Sequence, residues 1–243
     1  MRVAVAGATG LAGAAVCAAL ESERADVVPL SRSHGVDLIS GAGLERMRGC
    51  DVVIDATNVT GGDLPRDVAT VTAAERLVEA AVEHGVRRVA VLSILGVDDP
   101  GFDEFPYYRA KREQERLALA SPLEAVIVRS AQWFEFAMNP AAVTTADEGY
   151  LEVADWLIQP VAVSSVGCYL ARSALKPNRE VVSIAGPEPV RLPEMTRRIL
   201  STRGDPRQIR AVEARVAAFS SGALLPDAYA SLLDPRLNEW LVN

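Results

Sequence analysis

Several residue types are scarce in this chain of 243 residues, and each scarcity narrows the range of possible functions. Only two histidines are present, His34 and His84, and the cysteines Cys17, Cys50 and Cys168 lie far apart. A metal site built from these ligands and a disulfide framework are therefore both disfavoured. Since no apolar run approaches the roughly 18 residues that a membrane-spanning helix needs, no membrane partner is expected.

Basic residues are outnumbered, and lysine is nearly absent. The chain has 25 Lys and Arg against 32 Asp and Glu, a net charge of −7, and its only lysines are Lys111 and Lys176. Because nucleic-acid binding relies on a basic face, nucleic acid is not expected as a partner. Glycines also interrupt the first apolar run within seven residues, unlike a signal peptide, so we expect a cytoplasmic protein.

Short apolar stretches alternate with helix-like stretches through the first half of the chain. The predicted elements are strands over 3–6, 26–30, 51–55, 86–92 and 125–128, and helices over 11–20, 44–48, 68–84 and 107–120. Alternation with crossovers of this length predicts an α/β fold with a Rossmann-like, doubly wound parallel sheet. Pro29 fits poorly in a central strand and should lie near the end of its strand. Gly85 should end the helix before it.

After residue 131 the pattern loosens, with prolines and shorter strands such as 181–184 and a helix over 192–201. No change in composition and no repeat separates the two halves. We therefore expect one domain over 1–243. Residues 1–131 would form its cofactor-binding core, and 132–243 mainly a smaller C-terminal lobe on the substrate side.

The strongest functional motif follows the first predicted strand. Gly7, Gly10 and Gly13 are spaced by three and lead into an alanine-rich helical stretch. A strand, a glycine turn and a helix N-terminus place backbone N–H groups against the pyrophosphate of a dinucleotide. Thr9 and Leu11 lie in the same turn and are assigned to the cofactor with the glycines. The alternative is a tight turn that binds nothing.

The residues after the second predicted strand indicate which dinucleotide is bound. An NAD site usually has an acidic residue there for the ribose 2′-hydroxyl, whereas an NADP site has an arginine for the 2′-phosphate. This chain has Ser31 and Arg32 and no carboxylate at that point, which favours NADP(H). Further cofactor contacts are assigned to Asp37 and Leu38, where the chain can return to the adenine, and to Asn58 near the central ribose.

Tyr107 and Lys111 form a Tyr-x-x-x-Lys pair on the helix after the strand over 86–92. A spacing of four puts both side chains on one helix face, and few such pairs arise by chance from five tyrosines and two lysines. A tyrosine can exchange a proton with a carbonyl oxygen during hydride transfer, and a nearby ammonium lowers the pKa of the phenol. Lys111 can also bind the cofactor, through a hydrogen bond to the nicotinamide ribose. The alternative is a solvated helix face, since charged residues crowd this segment.

Together these features resemble the atypical short-chain dehydrogenase/reductases, on the NmrA-like side. The matching segments are 7–13, 31–32, 51–55, 91–98, 107–111, 129–134 and 185–188. The resemblance implies that the glycines hold the pyrophosphate, Arg32 the 2′-phosphate, and that Tyr107 is the general acid/base with Lys111 as its partner. In active relatives a Ser or Thr polarises the substrate oxygen. Here Ser93 is the candidate, although it lies a residue or two early and two apolar residues follow it.

The chain is thus predicted to be an NADP(H)-dependent oxidoreductase that reduces a small carbonyl or quinone-like substrate. One alternative is a non-catalytic NADP(H) sensor that reports redox state to a protein partner. Another is an epimerase or dehydratase that keeps its nicotinamide cofactor bound. Trp133 and Phe134 either line an apolar substrate pocket, with Gln132 orienting a polar group, or pack the lobe. The substrate and the oligomeric state do not follow from the sequence.

Overall fold

The architecture is a parallel sheet between two layers of helices, with a lobe beyond one end. A computed structural model describes residues 1–59, 64–147, 149–177 and 179–242. The strands are β1 (Arg2–Ala6), β2 (Asp26–Leu30), β3 (Val52–Asp55), β4 (Arg88–Ile94), β5 (Glu124–Ser130), β6 (Val143–Asp147), β7 (Tyr150–Ala154), β8 (Leu157–Ile158), β9 (Glu180–Ala185), β10 (Val190–Arg191), β11 (Gln208–Val212) and β12 (Ser231–Leu232). The α-helices are α1 (Leu11–Ser22), α2 (Arg66–Glu83), α3 (Pro106–Ala120), α4 (Val163–Leu175), α5 (Leu192–Thr202) and α6 (Leu237–Leu241). None of the helices in the described ranges is long and apolar enough to cross a membrane.

The main sheet has seven strands in the order β12-β9-β5-β4-β3-β1-β2. All of its neighbouring strands pair in parallel. The chain leaves β1 toward β2 on one side and later returns to β3 on the other. This reversal opens a crevice at the carboxyl ends of β1 and β3, where doubly wound sheets bind their ligands.

Helices cover both faces of the sheet, as a doubly wound fold requires. One apolar cluster contains residues of α1 and α4, and the cluster on the other face contains residues of α2 and α3. The four residues of β3 are all buried, as expected for a parallel strand covered on both faces. The predicted fold class is therefore confirmed.

Two local predictions are confirmed by particular residues. Pro29 is the penultimate residue of β2. Because β2 is an edge strand, its free side needs no backbone N–H donor at this position, and a proline is tolerated there. Gly85 has φ +72° and follows the end of α2. The amide of Val86 donates to Ala81 O and that of Gly85 to Val82 O, which is the Schellman arrangement that ends a helix.

The apolar stripe of α2 differs from the predicted one. Apolar residues recur at helical spacing over 68–84 and predict one buried face, made of Val71, Ala74, Leu77, Val78, Ala81 and Val82. Val82, however, is 42% exposed. The buried side chains are mostly small, namely Ala69, Thr70, Ala73, Ala74, Leu77, Ala80 and Ala81. Alanines let the helix approach the sheet and α3 closely, and a pattern that mixes alanine with valine does not reveal which of the two faces inward.

The chain after residue 131 is shared between the main sheet and the lobe. Helix α4 and strands β9 and β12 lie beyond that residue but belong to the main sheet and its helical layer. The lobe itself contains the sheet β11-β7-β6, the pair β10-β8, and helices α5 and α6. Its core is aromatic, with Trp156 stacked on Phe219 at a centroid distance of 4.0 Å. The sequence of the short strands after residue 131 does not predict which sheet each strand joins, because the strands that pair are far apart in the sequence.

Candidate functional site

The glycine turn lies at the carboxyl end of β1, in the crevice. Gly7 has φ +76°, and a Cβ there would lie 2.8 Å from Ala56 O. A Cβ on Gly13 would lie 2.0 Å from Gly7 O, so α1 can approach the turn only without a side chain at that position. The amide of Gly10 donates to Gly7 O at 2.8 Å and closes the turn. The spacing recognised in the sequence therefore has a steric cause.

This turn fits a pyrophosphate. Gly10 is the N-cap of α1 and provides no side-chain cap, and no acidic residue lies in the first helical turn. The first amides of a helix lack partners within the helix and carry its positive dipole. Thr9 and Gly10 are exposed, and Leu11 is 54% exposed, so the turn is open to a ligand. The backbone N–H groups of this turn are therefore available to bind an anion.

Polar side chains cluster at the end of β2, next to the turn. Arg32 is exposed and begins a short 3-10 helix over Arg32–His34. Ser31 Oγ lies 3.0 Å from Ser33 Oγ and 2.7 Å from Nδ1 of His34. An arginine, two hydroxyls and an imidazole on one exposed corner are suited to a phosphate. His34 belongs to none of the predicted binding motifs of the sequence.

The remaining predicted cofactor contacts are spread around the same crevice. Asp37 Oδ1 accepts a 2.9 Å hydrogen bond from the amide of Ile39 and so shapes its loop, and Leu38 packs against the α2/α3-side core. Asn58 is exposed just beyond β3, close in sequence to the crevice strand. Their contacts with a cofactor stay predictions.

Tyr107 lies at the start of α3, where the sheet core meets the lobe. Its ring is half-buried and packs against the aromatic cluster of the lobe. The next residue, Tyr108, is 4% exposed and stacks on Phe102 at 4.1 Å, which fixes this end of the helix. Burial raises the pKa of Tyr107, and the nearby Arg66 guanidinium lowers it by a smaller amount. The phenol is therefore protonated at neutral pH.

Lys111 lies one turn further along α3 but is held in the protein interior. It is 3% exposed, and its Nζ donates to Leu92 O at 2.6 Å and to the Gln114 side-chain oxygen. Gln114 Nε2 in turn donates to Asp55 Oδ2 at 2.6 Å. Burial lowers the pKa of Lys111 to about 8, against the opposing effects of Asp55 and Glu115.

Ser93 lies within β4, which continues to Ile94, two residues beyond the predicted end of that strand. It lies two residues after Val91, which faces the α2/α3 layer, so its side chain points to the same layer. Ser93 is 1% exposed, and its Oγ has no hydrogen-bond partner among the described residues. The hydroxyl is thus buried on the side of the sheet that α2 and α3 cover. A role for it in polarising a substrate stays a prediction.

Arg66 is the site residue that the sequence analysis missed. It is the first residue of α2, and its guanidinium carbon lies 5.1 Å from the centroid of the Tyr107 ring. Its Nη2 also donates to the side-chain oxygen of Asn58. One signal was available in the sequence, since a cation in the first turn of a helix opposes the helix dipole.

The aromatic segment after β5 contributes to packing. Phe134 is 1% exposed and belongs to the lobe core. The centroid of its ring lies 5.3 Å from that of the Trp240 ring. Trp133 Nε1 donates to Ser130 Oγ at 3.1 Å. Of the two interpretations of these aromatics, the packing one agrees with this arrangement. The side-chain oxygen of Gln132 is buried, and it has no hydrogen-bond partner in the part of the chain that the structure describes.

Comparison with known proteins places the geometry in context. Residues 41–155 match the family of NAD(P)H-binding proteins, and no curated protein matches the chain. Among solved structures, the chain is similar to MoeE5 in complex with UDP-glucose and NAD. The TM-score is 0.71 and the identity 22%, and the match covers 100% of this chain and 96% of MoeE5.

Two further structures are similar over most of their length. One is a short-chain dehydrogenase/reductase superfamily protein from Agrobacterium tumefaciens with bound NAD, at a TM-score of 0.66, 17% identity and coverage of 88% of this chain and 85% of that one. The other is dTDP-4-dehydrorhamnose reductase from Bacillus anthracis in complex with NADP, at a TM-score of 0.66, 15% identity and coverage of 98% and 92%. Neighbours of this kind bind NAD or NADP.

Proposed function

Because the chain has an NAD(P)H-binding domain and a fold consistent with the atypical short-chain dehydrogenase/reductases, we propose that it is an NADP(H)-dependent oxidoreductase that reduces a small carbonyl or quinone-like compound. One observation carries the proposal. Tyr107 is half-buried where the sheet core meets the lobe, with its phenol protonated and a guanidinium over its ring.

In the proposed reaction, the predicted site residues bind the cofactor or transfer the proton. The glycine turn and the N-terminus of α1 hold the pyrophosphate, and Arg32 with Ser31 selects the 2′-phosphate. The bound nicotinamide supplies the hydride. Tyr107 donates its proton to the carbonyl oxygen, because burial keeps the phenol protonated until a base stronger than itself develops beside it.

Cofactor choice is tested by calorimetry with NADPH and NADH on the wild type and on Arg32→Ser. Loss of one charge-assisted contact is worth about 1.5–3 kcal/mol, so NADPH should bind about 10- to 150-fold more weakly to the variant while NADH is unaffected. Arg46→Ser, which removes another exposed arginine, serves as the control. Equal weakening of both cofactors would argue against a 2′-phosphate contact.

Catalysis is tested by following NADPH oxidation with a panel of ketones and quinones. Tyr107→Phe should bind NADPH as the wild type does but lose most turnover, because the proton donor is gone while the ring remains. A Tyr107→Phe variant that reduces the same substrate at the wild-type rate would refute the assignment.

A second candidate, a non-catalytic NADP(H) sensor, is favoured by two observations. Lys111 is engaged with Leu92 and Gln114, and the Ser93 hydroxyl is buried. Tight NADPH binding without turnover of any panel member, and no effect of Tyr107→Phe, would support it.

A nucleotide-retaining epimerase or dehydratase is the remaining alternative. Similar structures include a UDP-N-acetylglucosamine 4-epimerase from Bacillus cereus and an NDP-hexosamine 5,6-dehydratase, each under 20% identical. A cofactor that copurifies with the protein and never exchanges would support it.

A further inference from the structure

We propose that Arg66, and not Lys111, is the cation that acts on the Tyr107 phenol, as a positioning residue for proton transfer. This inference rests on the proposed role of Tyr107 as general acid. It assigns the electrostatic part of that role to a residue outside the Tyr-x-x-x-Lys pair.

The first argument is where the guanidinium lies. The Arg66 guanidinium lies over the Tyr107 ring, with 5.1 Å between its carbon and the ring centroid. A hydrogen bond to Asn58 holds it there, so the arginine links the end of β3 to the start of α3. A cation at this distance from an aromatic ring is attracted to the neutral phenol and more strongly to a phenolate.

The second argument is where the lysine ammonium lies. Two of the three Lys111 donors are used, one by Leu92 O on β4 and one by the Gln114 side chain on the same helix. Asp55 fixes Gln114 from the end of β3, so the ammonium is directed into the protein. Lys111 is correspondingly absent from the groups that shift the pKa of Tyr107, where burial is the larger effect and Arg66 the opposing one.

The third argument is that helix stability does not explain an arginine at this position. Arg66 is the first residue of α2, which has 18 residues, and the helix dipole disfavours a cation there by about 0.3–1 kcal/mol. Among the residues that the structure describes, no side chain of the N-cap residue Pro65 caps this helix end. The contacts of Arg66 are instead with Asn58 and Tyr107, both in the site.

The chemistry that follows is a single proton transfer. The Tyr107 O–H bond breaks, an O–H bond forms on the substrate oxygen, and the phenolate remains until solvent returns the proton. Arg66 keeps its charge throughout, because a guanidinium is not deprotonated in proteins. Its effect is to lower the free energy of the phenolate and hence of the transition state.

The other groups around the phenol are few. From α3 these are Tyr108, which is buried in the lobe cluster, and Lys111, which points to the interior. From β3 the nearest charge is Asp55, which is already bonded to Gln114 and Thr57. In the part of the lobe that the structure describes, the hydrophobic cluster packs against Tyr107. Arg66 is therefore the described cation that faces the ring.

The experiment titrates position 107 directly. 2,3,5-Trifluorotyrosine, whose phenol ionises near neutral pH, is placed at 107 and followed by fluorine NMR in the wild type and in Arg66→Gln, with no cofactor or substrate. At a fixed pH near the wild-type midpoint, the ionised fraction should fall severalfold in Arg66→Gln. Arg66→Lys should recover part of it.

Three comparison variants make the result decisive. Arg76→Gln removes an exposed arginine of the same helix that pairs with Glu79, and it should leave the titration unchanged. Asn58→Ala frees the guanidinium and should reduce the ionised fraction, by less than Arg66→Gln. Lys111→Met should also have a smaller effect than Arg66→Gln.

An unchanged midpoint in Arg66→Gln, or a larger change in Lys111→Met, would overturn the proposal. Because the titration needs no turnover, its outcome is independent of whether NADPH is oxidised. A protein that shows the expected titration but no NADPH binding would refute the proposed function, and with it the role of Arg66 in proton transfer, while the electrostatic effect of Arg66 on the Tyr107 phenol would stand.

Discussion

Gln114 Nε2 donates a 2.6 Å hydrogen bond to Asp55 Oδ2, which ties α3 to the end of β3 inside the protein. Asp55 and Gln114 are 2% and 1% exposed. The other carboxylate oxygen of Asp55 accepts from the Thr57 amide at 3.0 Å and hydroxyl at 2.6 Å. The amide oxygen of Gln114 accepts from Lys111. A buried carboxylate and a buried ammonium are thus joined through one neutral amide, which satisfies both.

Replacing that amide should be costly. In Gln114→Leu, Asp55 and Lys111 each lose a partner while they remain buried, and we expect the free energy of unfolding to fall by about 3 kcal/mol. Urea denaturation followed by circular dichroism measures the change. Gln208→Leu, at an exposed position of β11, should stay within about 0.5 kcal/mol of the wild type. A cost for Gln114→Leu no larger than that of the control would mean that the network contributes little.

Lys111 should give the stability a characteristic pH dependence. Its pKa is lowered from 10.5 to about 8 by burial, so between these values the unfolded chain binds the proton and the folded chain does not. The buried charge of Lys111 therefore lowers the free energy of unfolding by its full amount below about pH 8. This loss shrinks as the pH rises toward 10.5.

The difference between the wild type and Lys111→Met isolates this effect, because the other titrating groups are shared. Relative to the variant, the wild type should gain stability from pH 8 to pH 10.5, with a slope of up to about 1.4 kcal/mol per pH unit. Urea midpoints at several pH values measure the slope. A difference that is constant over this range would contradict a lowered pKa.

The glycine turn allows a graded steric test. Gly13→Ala would bring a Cβ to 2.0 Å from Gly7 O, whereas Gly10→Ala would bring one to 3.2 Å. We expect Gly13→Ala to destabilise the protein by at least about 2 kcal/mol and to abolish NADPH binding, because the turn must move. Gly10→Ala should have a clearly smaller effect on both. Thermal melts and calorimetry measure the two quantities, and equal effects would show that close packing is not the reason for Gly13.

The fold was largely predictable because its signals are local. The strand over 26–30 was predicted to the residue, and the end of α2 at Gly85 follows from a left-handed backbone that glycine adopts freely. The buried face of α2 was predicted wrongly because it does not depend on local signals alone. The period of a helix can be read from the sequence, but which of its small and branched residues face inward depends on how closely α3 and the sheet approach.

The candidate site was predictable only in part. The glycine turn, Arg32 and the Tyr107–Lys111 pair are recognisable because residues a few positions apart carry the pattern. Arg66 escaped notice because it is 41 positions from Tyr107 in the sequence and belongs to no motif. The direction of Ser93 also needed the structure, since a shift of one residue along a strand moves a side chain to the opposite face.

The sequence by itself determined the alternation of strands and helices and the glycine turn at the end of β1, because hydrophobic period and backbone sterics act over a few neighbouring residues. Only the tertiary structure decided which charges meet. Lys111 meets β4, Gln114 meets β3 and Tyr107 meets the start of α2, and the return of β9 and β12 to the main sheet joins segments far apart in the chain. Contacts of this kind form when separate elements pack together, and no local pattern encodes them.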